Sequence, residues 1–243
     1  MSAAFGWGLL AASSLLLGGL LALQLRVSGR VLGLIMAFGA GVLISAVAYE
    51  LVEEAFTTSD GSAGVALGLF AGALTFYVGD ALIDRLGGSD RKSMGGEQES
   101  GSALAIVLGI VLDGIPESAV IGLTLLQGGS VSAAMLAAVF LSNLPEAIAA
   151  TSGLAVAGWR PRWILGLWAL VILVSGLASL AGYAFFDGAS PGAVAFVLSF
   201  AAGAILTMLA DTMMPEAFKR GGKLVGLATT LGFGVAFAIS AIE

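Results

Sequence analysis

The chain has 243 residues, 58% of them hydrophobic and only 11% charged, with a formal charge of −6 and a mean hydropathy of +1.03. A water-soluble domain carries roughly 25% charged residues, so a soluble globular fold is excluded, as is a sizeable domain outside a membrane. At about 20 apolar residues per spanning helix, the length leaves room for about seven to nine spans.

The chain contains neither cysteine nor histidine. That removes disulfides, thiolate and imidazole ligands and the commonest general base, and leaves oxygen to do the chemistry. The 36 glycines read as close helix-to-helix contacts in a tightly packed bundle. Nucleic acid is not an expected partner; the lipid bilayer is.

Apolar runs of spanning length are predicted at 4–25, 31–52, 63–84, 102–126, 131–157, 163–186, 191–214 and 223–242, as one transmembrane domain over residues 1–243. The first run begins Ser2-Ala3-Ala4, without a basic n-region or a small-residue cleavage pattern, and is read as a membrane helix and not a signal peptide. All ten basic residues fall in alternate connections: Arg26 and Arg30; Arg85, Arg91 and Lys92; Arg160 and Arg162; Lys219, Arg220 and Lys223. By the positive-inside rule those connections are cytoplasmic, both termini lie outside and the number of spans is even. Eight spans satisfy this; seven or nine do not. Trp7, Trp159 and Trp163 sit where interfacial aromatics belong. The polar stretch Gly87 to Gly101 reads as a mobile cytoplasmic loop between three spans and five.

The two ends of the chain repeat one another. Span two contains Phe38-Gly-Ala-Gly-Val-Leu-Ile-Ser45 and ends with Glu50, Glu53, Glu54 and Ala55, while span seven contains Phe200-Ala-Ala-Gly-Ala-Ile-Leu-Thr207 and ends with Thr212, Pro215, Glu216 and Ala217. They register without a gap, Phe38 on Phe200 and Glu54 on Glu216. Ile115-Pro116-Glu117 in span four pairs likewise with Leu144-Pro145-Glu146 in span five. Even and odd spans cross in opposite directions, so both pairs are inverted repeats, the arrangement that puts a transporter's substrate site near the bilayer midplane.

Span four carries Asp113 and Glu117 near the middle of the hydrocarbon, where an ionised carboxylate costs at least about 2.5 kcal/mol. Four residues apart, they share one helix face, and Pro116 deprives the Leu112 carbonyl of its helical donor. Span five repeats the device with Ser142, Asn143 and Glu146, while Pro145 frees the carbonyl of Leu141. No lysine or arginine is buried in the membrane to pair with these acids, which leaves protonation or a bound cation to neutralise them. Carboxylates with neutral oxygens suit hard and borderline divalent ions.

Asp113-Gly-Ile-Pro-Glu117 and Ser142-Asn-Leu-Pro-Glu146 resemble the motifs of the ZIP (Zrt/Irt-like protein) family of metal-ion transporters, whose fourth and fifth helices carry His-Asn-x-Pro-Glu and His-x-x-Pro-Glu type sequences. The resemblance extends over nearly the whole chain. It implies an all-helical membrane protein of eight spans in a three-plus-two-plus-three arrangement, a homodimer, and transport of a divalent ion across the plasma membrane toward the cytoplasm. Carried over by position, Glu117 and Glu146 match the bridging carboxylates, Asp113 and Ser142 the histidine positions, and Gly114 and Asn143 the adjacent polar positions. The histidines themselves are replaced, the cytoplasmic loop lacks a histidine run, and span six offers no acid before Asp187. The expected cargo is zinc, with manganese, iron(II), cadmium and magnesium open to an oxygen-only site.

By the repeat, Glu50, Glu53 and Glu54 at one end, with Asp211 and Glu216 at the other, are candidates for the path by which an ion enters or leaves; terminal acids are equally readable as solvated groups. Asp80 and Asp84, beside Arg85, read as interfacial charges. Two alternatives stand beside transport: a ZIP-like fold acting as a metal sensor or scaffold, and an intramembrane aspartyl protease using Asp80 and Asp113. The protease explains neither Pro-Glu pair, and Asp80 is expected too near the inner edge to meet Asp113, so an enzyme is not expected. No Gly-x-x-x-x-Gly-Lys motif for an ATP-driven pump is present.

Overall fold

A computed structural model describes residues 1–25, 27–59, 62–85, 103–128 and 131–242, with the backbone alone for residues 62, 103–106, 127 and 128. The stretch Gly87 to Gly101, expected to be a loop, lies outside the described residues. Regular structure among the described residues is entirely helical: α1 (Ser2–Gln24), α2 (Gly29–Thr58), α3 (Ser62–Ile83), α4 (Ala103–Gly128), α5 (Ala133–Val156), α6 (Pro161–Phe186), α7 (residues 191–221) and α8 (Val225–Ser240). Helix starts carry the expected chemistry. Ser28, Ser132 and Ser190 accept hydrogen bonds from the amides of Val31, Met135 and Ala193, and prolines open α6 and α7.

Seven helical stretches of the described residues are long and apolar enough to cross a membrane, and the protein is a multi-pass membrane protein. The last of them, Pro191–Ser240, has 50 residues and would measure about 75 Å as a single rod, against a hydrocarbon core of about 30 Å. It is not a single rod: Gly222, at φ 64°, interrupts it with a turn of 3-10 helix before α8 begins.

Two helices run further than their apolar stretches predict. Helix α2 continues through Glu53 and Glu54 to Thr58, and α7 continues through Glu216 to Gly221. The acids mark the end of the apolar run, but glutamate is a good helix former and does not end the helix. Both helices change hydrogen-bonding pattern at the same point of the repeat. Val47–Val52 in α2 and Leu209–Met213 in α7 are π-helical, the amides of Glu53 and Met214 reaching back five residues to the carbonyls of Ala48 and Leu209. The register that sets Phe38 on Phe200 superimposes these segments to within one residue.

Packing obeys the same correspondence. Helix α2 lies along α8 and α7 along α3, while α1 lies along α5 and α6 along α4; α1 meets α6, and α2 meets the end of α7. Small residues set the spacing. A Cβ on Gly41 would fall 1.9 Å from the Thr229 carbonyl oxygen, and one on its repeat partner Gly203 would fall 2.0 Å from that of Leu69. Reciprocally, Gly232 meets the Phe38 carbonyl at 2.0 Å and Gly72 that of Phe200 at 1.8 Å. A second apolar cluster joins α1, α4, α5 and α6, with Leu15, Leu154, Ile164 and Trp168 buried at its centre. There the Trp168 Nε1 donates to Thr151 Oγ1 at 2.8 Å, the partner a buried indole requires.

Candidate metal site

The two Pro-Glu segments lie in the interior. Asp113 is 4% exposed and Glu117 2% on α4, and Ser142, Asn143 and Glu146 are 1%, 6% and 6% exposed on α5. Both helices continue across Pro116 and Pro145. A proline in mid-helix removes a hydrogen bond without ending the helix when neighbouring helices hold both sides.

The carbonyl that Pro145 leaves without its donor, that of Leu141, is turned toward α2. A Cβ on Gly39 would stand 3.2 Å from this oxygen, 3.4 Å from the Ser142 Cα and 3.3 Å from the Met213 Cε. Gly39 thus lets the backbone of α2 come against the Pro-Glu turn of α5, with the last residue of the α7 π segment beside it. The Ser142 hydroxyl donates to the Val139 carbonyl at 3.1 Å within its own helix, which commits its proton and leaves its lone pairs to act as donors toward a cation. On α4, a Cβ at Gly114 would meet only Ser175 Oγ of α6, at 3.9 Å. Ser175 is itself buried, so its hydroxyl faces the position where the resemblance places an amide side chain.

The expected residues are buried, but they are not drawn into one knot of acids: among the described residues no group of three or more Asp or Glu side chains is close enough to hold a metal ion. The acids at the end of α2 share one opening. Glu50, Glu53 and Glu54 line an open cup of about 510 Å³ between the end of α2 and the end of α8, together with Thr57 and Ser240. Ser240 Oγ donates to Glu50 at 2.6 Å and Thr58 Oγ1 to Glu54 at 3.3 Å. At the other end Asp211 is exposed, while Glu216 is mostly buried and forms an ion pair with Arg220. Gly79 packs against Leu112, its Cβ position 3.1 Å from the leucine Cδ1, so α3 crosses α4 one residue before both Asp80 and Asp113.

Sequence reasoning missed Ser175, Ser240 and the Thr58 and Arg220 partners. Thr58 and Arg220 were available from the repeat, for both lie four residues beyond its matched glutamates. Ser240 and Ser175 came from tertiary packing, which no spacing along the chain foretells.

The fold and site define a multi-pass helical membrane protein with acidic and neutral oxygen groups buried inside its apolar spans. No protein-family profile matches the chain. Over 191 residues it is 26% identical to a "Putative zinc transporter" of Arabidopsis thaliana, a match that takes in 77% of this chain and 30% of the plant protein. The similarity supports a zinc-transporter relationship, and the chain spans less than a third of that relative's length.

Proposed function

We propose that the chain is a divalent metal-ion transporter of the ZIP kind, carrying zinc or a related ion such as manganese, iron(II) or cadmium across the plasma membrane toward the cytoplasm. The observation that carries this reading is the burial of Asp113, Glu117 and Glu146, with Ser142 and Asn143, inside two proline-bearing apolar helices, neither of which contains a lysine or an arginine. Carboxylates so placed are costly unless protonated or matched by a cation. A divalent ion matches them, with the hydroxyl of Ser142, the amide of Asn143 and proline-freed carbonyls completing an oxygen shell.

In this reading the spans number eight in a three-plus-two-plus-three inverted repeat, with Gly222 the turn between the last two and both termini outside. Glu117 and Glu146, at equivalent places on oppositely directed helices, bridge the ion at the midplane. An ion between them offsets the charge that burial leaves on both carboxylates. Two chains form a dimer. The plant relative's name and the resemblance of the Pro-Glu motifs point to zinc.

The test is ion uptake by proteoliposomes of the purified protein across zinc, cadmium, manganese, iron(II), cobalt and magnesium. Saturable uptake of zinc and at least one other of these ions is expected. Vesicles as tight to every ion with the protein as without it would contradict the proposal.

A further inference from the structure

The repeat that relates α2 to α7 is close in backbone and unequal in charge. Both helices pass through a π segment at the same register and resume as α-helix with Glu54-Ala55-Phe56 on Glu216-Ala217-Phe218. Each of these glutamates meets the side chain four residues on. At one end that partner is the neutral Thr58, whose hydroxyl donates to Glu54. At the other it is Arg220, whose guanidinium donates to Glu216 and neutralises it.

The surroundings widen the difference. Residues 49–58 hold three carboxylates and no base, whereas the matching residues 211–220 hold two carboxylates and two bases. Arg220 is also held in place from outside its helix. Gly29 and Gly33, one turn apart at the start of α2, leave a groove for it, the Cβ position of Gly33 lying 2.7 Å from Arg220 Cβ and that of Gly29 3.6 Å from its Nη1. An arginine whose stem is packed against a helix keeps its charge over Glu216 where a free surface lysine would wander.

We propose that Arg220, standing at the repeat position of Thr58, sets the sidedness of the ion path: the α2 mouth draws divalent cations and the α7 mouth, with Glu216 neutralised, does not retain them. The inference rests on the transporter reading and deepens it. The cup at the α2 mouth acts through its potential and not as a binding site, since no three of its acids converge to hold an ion. Fixed charges cannot drive net flux through a passive path, but they set the ion concentration at which each mouth saturates. A focused charge of one sign raises the local concentration of counter-ions by tenfold or more, and the effect fades with salt.

The first experiment reads the potential directly, in a protein with no cysteine of its own. Phe56 and Phe218 are repeat partners, 56% and 61% exposed. The variants Phe56→Cys and Phe218→Cys are reacted with cationic and anionic methanethiosulfonates of similar size. The cationic-to-anionic rate ratio is expected to be roughly tenfold higher at position 56, with the gap closing at about 1 M salt. Adding Thr58→Arg should lower it at 56, and adding Arg220→Thr should raise it at 218. Arg220→Gln, which keeps a hydrogen bond to Glu216 without the charge, serves if the threonine variant folds poorly.

The second experiment measures zinc transport in right-side-out and everted membrane vesicles. Thr58→Arg should raise the half-saturating zinc concentration from the α2 side by roughly three- to tenfold at an unchanged maximal rate, and Arg220→Gln should lower it from the α7 side only. Equal thiol ratios at the two positions, or an active parent whose half-saturation Thr58→Arg does not move, would overturn this inference alone. A parent that carries no zinc overturns the transporter reading, and the sidedness with it.

Discussion

Replacing Gly41 with alanine places a methyl carbon 1.9 Å from the Thr229 carbonyl oxygen, with the Phe233 amide nitrogen at 2.8 Å. The closest comfortable carbon-to-oxygen approach is about 3.3 Å, so α2 and α8 must part by more than 1 Å along their contact. The obstacle is backbone, which no rotamer change relieves. Overpacking of this kind costs about 1–3 kcal/mol, with a clash against backbone at the upper end, and alanine's better helix propensity returns at most about 1 kcal/mol, leaving a net loss of about 2 kcal/mol. Gly203→Ala, its repeat partner against Leu69, should lose as much. The two sites lie on different helix pairs, so the double variant should lose nearly the sum. Gly166→Ala is the control, because nothing lies within 4 Å of its Cβ position, and it should be neutral or slightly stabilising. Thermal unfolding of detergent-purified variants, followed by tryptophan fluorescence, separates them. A Gly41→Ala protein that unfolds with Gly166→Ala would refute the glycine-spaced packing.

Labelling of single cysteines tests the orientation: Asp187→Cys is expected to react with an impermeant reagent from outside and Lys223→Cys from inside only, and the reverse pattern would invert the topology drawn from the basic residues. Asp113→His should keep zinc transport while shifting preference away from manganese and magnesium, because imidazole suits borderline ions better than hard ones; uptake competition between the ions checks it, and an unchanged preference would remove Asp113 from the ion's surroundings. Trp168→Phe deletes a buried hydrogen bond to Thr151 and should cost about 0.5–1.5 kcal/mol in thermal unfolding without altering transport.

Much of this was legible in the sequence because membrane spans are written in long apolar runs. The positions of α1, α3, α5 and α6 follow from hydropathy alone, and the Phe38–Phe200 register foretold which helices would correspond. The π segments were not legible: an extra residue per turn leaves no mark in composition, and Val47–Val52 contains neither proline nor glycine to signal it. The far ends of α2 and α7 were set short because acids end hydrophobicity before they end a helix. Asp113, Glu117, Ser142, Asn143 and Glu146, read from the sequence as lying within apolar spans, are buried. Their mutual distances were beyond it, since a shared face on one helix says nothing of how far a second helix stands away. Gly39 was readable as a packing residue, but that it packs on the carbonyl released by Pro145 is a product of the tertiary fold.

Zinc uptake by proteoliposomes of Glu117→Gln and Glu146→Gln, measured beside their thermal unfolding, bears most directly on whether these acids carry the ion. Glutamine keeps the volume and hydrogen-bonding groups while removing one charge, and a buried neutral amide costs less than a buried unpaired carboxylate. Each variant is expected to lose at least about tenfold in zinc transport, 1.4 kcal/mol or more, while unfolding at or above the parent's temperature. Parent-rate transport by both variants would contradict the site.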